Sequence, residues 1–283
     1  MSVWGWLALP PLAVLLLNRA IRNSLRAPRV PREAQPDGLS WQSVEVPTCN
    51  GKRLRAWYIP AGPRALVVMH GWGGNAANFL PVARHLKEAG YSLLLLDARC
   101  HGESDDDSFA SLPRFAEDIE AGMAWLVGIA GIERDALAVI GHSVGGGAAL
   151  LVASRRPEIR GVISLSAFAH PAAMMRRWLG AKRIPYWPLG AYVLRYVQQV
   201  IGYRFDDIAP IHTIARVRCP VLLVHGRDDA MVPLAEARAI RAAAGHADVE
   251  LLELAGNHEE FGDVNGHVPK LLEFLELAFA RRL

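Results

Sequence analysis

The residue best placed to do chemistry in this 283-residue chain is a serine framed by glycines, in Gly141-His142-Ser143-Val144-Gly145. The motif follows the apolar run Ala136 to Ile140 and leads into the helix-compatible stretch Gly146 to Ser154. A serine on a tight strand-to-helix turn stands exposed at a sheet edge. Such a turn demands unusual backbone angles, and glycines on both sides keep Cβ atoms clear of the neighbouring strand and helix. The chemistry this suits is acyl transfer, which needs a base to take the serine proton, a carboxylate to hold that base in the right tautomer, and N–H donors for the developing oxyanion. His258 lies in a loop just after the last expected strand and is the candidate base. Asp228 and Asp229, adjacent after a strand ending at His225, are the candidate acids, and the N–H of Val144 is one oxyanion donor.

These side chains meet only if a sheet brings them to one edge. Trp41 to Pro47 and Arg53 to Ile59 alternate apolar and polar positions around Asn50-Gly51, the pattern of an antiparallel hairpin. Ala65 to Met69, Ser92 to Leu96, Ala136 to Ile140, Gly161 to Leu165, Val221 to Val224 and Val249 to Leu254 are short apolar runs without alternation, as expected of strands covered on both faces. Helical segments at Ala77 to Ala89, Leu112 to Val127, Val144 to Ser154, Leu234 to Ala244 and Val268 to Phe279 separate them. The order predicts an α/β fold with a mostly parallel eight-stranded sheet, an antiparallel start, and ligands beyond the carboxyl ends of the strands.

Over roughly Trp41 to Leu283 the chain resembles the α/β-hydrolase superfamily, and most of all its lidded serine esterases, thioesterases and acyl hydrolases. His70-Gly71-Trp72-Gly73-Gly74 is similar to the family's oxyanion loop after the third strand, and Asp97-Ala98-Arg99-Cys100-His101-Gly102-Glu103-Ser104 to its D-x-R-x-H-G-x-S turn after the fourth. The resemblance implies the chain order serine, acid, histidine. It places Asp229 at the acidic position of H-G-x-x-D-x-x-V-P, here His225 to Pro233, with Asp228 as a turn residue. The alternative acid position, after the sixth strand, reads Ser164-Leu165-Ser166-Ala167 and holds no carboxylate. The second oxyanion N–H is implied at Trp72, and Trp72 and His142 are the residues expected beside the substrate. The expected activity is cleavage of carboxylic esters or thioesters of hydrophobic acyl groups through an acyl-enzyme on Ser143, with no metal and no organic cofactor. A serine peptidase of the aminopeptidase kind and a non-catalytic ligand-binding member are the rival readings.

The remaining segments set the organisation. His170 to Ile208 separates two strands by more than an ordinary connection and reads as a lid, rich in Trp178, Tyr186, Trp187, Tyr192, Tyr196 and Tyr203. Packing on the domain below needs the same aromatics as covering an apolar substrate does. At the amino end, Val3 to Leu17 carries no charge and is followed by Arg19, Arg22, Arg26, Arg29 and Arg32. As a helix it spans roughly 22 Å against a hydrocarbon core of about 30 Å. It is read as an uncleaved anchor over residues 1–26, with Leu17, Ile21 and Leu25 continuing along the interface, the protein membrane-associated and its domain on the cytoplasmic side; a buried amino-terminal helix is the alternative. Residues 27–38 read as a linker and 39–283 as the catalytic domain. The net charge of +3 and the lack of a basic stripe argue against a nucleic-acid partner. Cys49, Cys100 and Cys219 are widely spaced and odd in number, which indicates neither a disulfide framework nor a zinc site.

Overall fold

A computed structural model describes residues 3–245, 248–260 and 264–281. Eight strands, β1 (Gln42–Thr48), β2 (Lys52–Ile59), β3 (Arg64–Met69), β4 (Tyr91–Leu96), β5 (Leu137–His142), β6 (Val162–Leu165), β7 (Val221–Gly226) and β8 (Val249–Leu254), form one sheet in the order β1-β2-β4-β3-β5-β6-β7-β8. Strands β1 and β2 pair antiparallel, as do β2 and β4, and every other pairing is parallel. The antiparallel start turns at Asn50 and Gly51, both with positive φ, which asparagine and glycine tolerate best. This is the sheet expected from the apolar runs.

The inner strands are largely apolar because helices cover both faces, whereas β1 and β2 at the edge alternate. Leu66 and Val68 of β3 face Ala83 and Leu86 of α2 (Leu80–Glu88) and Phe274, Leu275 and Ala278 of α10 (Val264–Ala280). Ala65, Val67 and Met69 face the other layer. That layer holds α3 (Leu112–Gly128), α4 (Val144–Ala153) and α9 (Leu234–Ala243), with Phe115, Ile119, Met123 and Leu126 of α3 at helical spacing. Between β6 and β7 the chain inserts α5 (Pro171–Ala181), α6 (Ala191–Ile201), α7 (Phe205–Ile208) and α8 (Pro210–Thr213). Val193, Leu194 and Val197 of α6 pack downward, whereas Trp178, Tyr186 and Trp187 stay exposed. Lys182 lies over the Trp178 ring and Arg176 over Tyr186, so two of the insertion's cations rest on its aromatics.

The amino-terminal helix α1 (Val3–Ser24) corrects the reading of a membrane anchor. Among the described residues no helix is long and apolar enough to cross a membrane. The carboxyl half of α1 packs on protein instead: Ile21 is buried in the core, with Leu17 and Leu25 packed against it. Tyr192 Oη of α6 donates to Asn18 Oδ1 at 2.7 Å, and Arg22 Nε donates to Tyr196 Oη at 2.8 Å. The expected membrane-associated location and membrane partner are therefore set aside: the residues assigned to the interface face α6 and the domain.

The stretch after α1 is likewise bound to the domain. Arg29 donates to the carbonyls of Gly102 and Ser104 and pairs with Asp106. The Arg32 guanidinium lies 4.3 Å from the Trp57 ring centre and pairs with Asp97 at 3.0 Å.

Candidate active site

Ser143 occupies the single residue between β5 and α4 and has φ 52° and ψ −115°. A non-glycine residue holds such angles only where its surroundings dictate them. The flanking glycines supply the reason: a Cβ on Gly141 would lie 2.2 Å from the Gly145 carbonyl oxygen, and one on Gly145 would lie 2.4 Å from that of His70. The Ser143 N–H donates to Leu165 O at 2.8 Å, so the turn is tied to the end of the neighbouring strand β6.

His258 reaches the serine from the loop after β8. Its Nε2 stands 3.0 Å from Ser143 Oγ and its Nδ1 2.7 Å from Asp229 Oδ2. With Nδ1–H donating to the carboxylate, Nε2 is free to accept the serine proton. Of the two adjacent acids it is Asp229 that turns inward, 5% exposed, while Asp228 is exposed. Asp229 Oδ1 accepts from the N–H groups of Met231 (3.0 Å) and Val232 (2.7 Å), which fixes the carboxylate plane and leaves Oδ2 for the histidine. His225, buried at the end of β7, donates from Nε2 to Val232 O at 2.7 Å and closes the same turn, 3.4 Å from Asp229 Oδ2. By sequence His225 is only the end of a strand; the H-G-x-x-D spacing is the signal that points to its role in this turn.

The glycine-rich loop arrives from β3. A Cβ on Gly71 would stand 3.3 Å from Ser143 Cβ and 2.8 Å from His142 Nδ1, so this backbone passes in contact with the elbow. Trp72, next along, is 41% exposed, and its ring meets His101 edge-on at 5.9 Å. Val144 opens α4, where free N–H groups and the helix dipole favour negative charge. The loop is shaped from beneath by Asp97, whose Oδ1 accepts from Ala76 N and whose Oδ2 accepts from Glu103 N, both at 2.7 Å. His70 accepts at Nε2 from Ala98 N and donates from Nδ1 to Gly71 O. Burial pushes His70 down to about 3 and His101 to about 4, so both are neutral at pH 7.

His142 holds the base rather than the front of the serine: its Nε2 is 2.8 Å from the His258 carbonyl oxygen, and the two rings lie 5.0 Å apart. It also borders a cavity of about 520 Å³ on the α2 and α10 side, walled by Ile140, Ile163, Val224, Leu254 and Phe79. Ser143 is not in that wall. Asp105, Asp106 and Asp107 each find a cation, Arg53, Arg29 and Arg114 respectively.

The sequence profile of the α/β hydrolase fold matches residues 64–183. An uncharacterized protein of Mycobacterium tuberculosis is 31% identical over 229 residues, 75% of this chain and 74% of that protein. The monoacylglycerol lipase of Mycolicibacterium smegmatis is 29% identical over 243 residues, 73% of this chain and 85% of the lipase. An esterase of Pyrococcus furiosus superposes with a TM-score of 0.73 at 23% identity, covering 90% of this chain and all of the esterase. With its sheet order, its strand-turn-helix serine and these likenesses, the chain belongs to the α/β-hydrolase superfamily.

Proposed function

We propose that this protein hydrolyses carboxylic esters or thioesters of hydrophobic acyl groups through an acyl-enzyme on Ser143. The observation that carries the reading is the series Ser143 Oγ, His258 Nε2, His258 Nδ1, Asp229 Oδ2, with contacts of 3.0 and 2.7 Å on a serine held at positive φ. As Ser143 Oγ attacks the acyl carbonyl carbon, His258 Nε2 takes its proton, and Asp229 stabilises the imidazolium. The carbonyl oxygen becomes an oxyanion facing the N–H groups of Val144 and Trp72. Collapse breaks the bond to the alcohol or thiol, which leaves with the proton from Nε2. Water then adds to the acyl-serine with His258 as base and releases the acid. Every step is a proton or acyl transfer that these groups complete among themselves.

The monoacylglycerol lipase among the relatives makes glycerol monoesters of fatty acids the first natural substrates to try. The experiment is the initial rate on nitrophenyl esters of increasing acyl length and on monoacylglycerols, with Ser143→Ala as control. A Ser143-dependent rate that rises with chain length is the expected result. Wild-type turnover in Ser143→Ala, or none in the native protein alongside failure of a fluorophosphonate to label Ser143, would overturn it.

A further inference from the structure

The two ends of the insertion between β6 and β7 meet in a neck. Ile211 N donates to Ala169 O at 3.0 Å, and Ala169 N donates to Glu236 of α9 at 2.7 Å. At this neck three metal-ligating side chains converge: His170, at the start of α5, Asp206 in α7, and His212 in α8, with one donor atom from each within 4.8 Å of the others. His170 Nε2 lies 2.9 Å from Asp206 Oδ1. The two imidazoles stand edge to face, with ring centres 5.7 Å apart. Such spacing lets both point a nitrogen at one ion, given Zn–N bonds of about 2.0–2.1 Å.

We propose that His170, Asp206 and His212 form a site for a zinc-class divalent cation that clamps the neck of the insertion. The donor set, two imidazoles and a carboxylate, suits Zn²⁺ and its late first-row neighbours and is a poor match for Mg²⁺, which prefers oxygen ligands alone. His212 is already set in the tautomer a ligand needs: Nδ1–H donates to the Asp206 carbonyl at 2.9 Å, which leaves the Nε2 lone pair for the ion. His170 is set the other way. Its Nδ1 accepts from Ala172 N at 3.1 Å as the cap of α5, so its proton sits on Nε2 and is given to Asp206. On binding, the ion displaces that proton from Nε2, the ring takes it up on Nδ1, and the capping bond from Ala172 N–H is given up as the ring tilts away. Arg204 Nη2, 3.6 Å from Asp206 Oδ2, also pairs with this carboxylate and is itself exposed, free to swing away. Water completes the coordination on the solvent side, since Asp206 and His212 are both exposed. Three ligands from the start and the end of one insertion then hold its two ends together.

The test is equilibrium dialysis of the full chain, free of any affinity tag, against Zn²⁺ and separately Mg²⁺, with thermal unfolding followed at each metal concentration. The expected result is one Zn²⁺ per chain, no Mg²⁺, and an unfolding midpoint that rises with Zn²⁺. His170→Asn is the informative variant because asparagine still caps α5. It and His212→Gln should each weaken Zn²⁺ binding at least about tenfold and abolish the Zn²⁺-dependent rise. Both should unfold without metal where the native protein does; should His170→Asn not, His212→Gln, on the exposed side, carries the comparison. The other convergent group, His142, His258 and Glu259 beside Ser143, is the competing location. Zinc lost in His142→Gln but kept in the neck variants, or no zinc bound by the native chain, would overturn the assignment. None of these readouts depends on ester turnover, so the site stands or falls apart from the proposed activity.

Discussion

At the scale of single residues the elbow is the most constrained part of the molecule. Gly145→Ala would press a methyl group against two carbonyl oxygens, those of His70 at 2.4 Å and Met69 at 2.6 Å, neither of which can move without breaking β3. The expected cost is about 2–4 kcal/mol of stability and loss of most hydrolysis, read from urea unfolding and ester turnover. Asp229→Asn should behave differently. The amide can still accept the Met231 and Val232 N–H bonds but no longer holds His258 with its proton on Nδ1, so kcat should fall by roughly 10³–10⁴-fold while the unfolding midpoint moves little. A variant that unfolds early instead would mean the carboxylate serves the turn more than the histidine. Glycines, serine and their spacing are local, which is why Ser143 and its neighbours were legible in the sequence. What separates Asp229 from Asp228 is not local: adjacent and alike in sequence, they differ in that the fold buries one and exposes the other.

At the scale of elements, local signals again read well: each strand and crossover helix lies within a few residues of its apolar run, because covered strands and helical stripes are written in neighbouring positions. Where α1 goes was not legible, since an apolar helix face offers the same residues to lipid as to protein, and only its docking on α6 tells them apart. Nor does periodicity reveal that residues 28–32 brace the glycine-rich loop. Asn75 Nδ2 donates to the carbonyls of Val30 and Pro31, Gly73 lies against Pro28, and Arg32, 4% exposed at its side chain, neutralises the buried Asp97. Arg32→Ala would leave that carboxylate charged and unpaired, so unfolding should become easier by about 3–5 kcal/mol. Lysine should restore part of this but not the flat contact over Trp57. Equal stability of the alanine variant in urea would show that the N–H donors of Ala76 and Glu103 suffice for Asp97.

At the scale of the whole molecule, buried imidazoles set the response to acid. His70 and His101, held by burial near 3 and 4, stay neutral in the folded protein while the unfolded chain protonates both near 6.5. The unfolded state therefore binds more protons between those values, and stability is full above pH 6.5 and falls as pH drops below it. His142, also lowered by burial, adds to the fall. Asp118, raised by burial to about 6 despite its pairing with Arg99, and Asp97, raised in the same way, oppose it by taking up protons in the folded state first. The three imidazoles outnumber the two carboxylates, so the protein should be less stable at pH 5 than at pH 7.5, each unmatched proton costing about 1.4 kcal/mol per pH unit. Urea unfolding at the two values checks it; unchanged or greater stability at pH 5 would mean the histidines accept protons in place.

The way residues 28–32 are held also bears on how the chain behaves once cut. This stretch has no helix or strand, Pro28 to Pro31 are exposed, and a protease would find it readily. Yet both sides of a nick after Arg29 keep separate grips on the same body: α1 through Tyr192, Tyr196 and the buried Ile21, and the remainder through Arg32 on Asp97. The severed piece should stay seated under native conditions and part from the rest only in denaturant. Supplied separately as a peptide of residues 12–29, it should find its groove again on a chain begun at Val30, a reassembly visible as one complex on a sizing column.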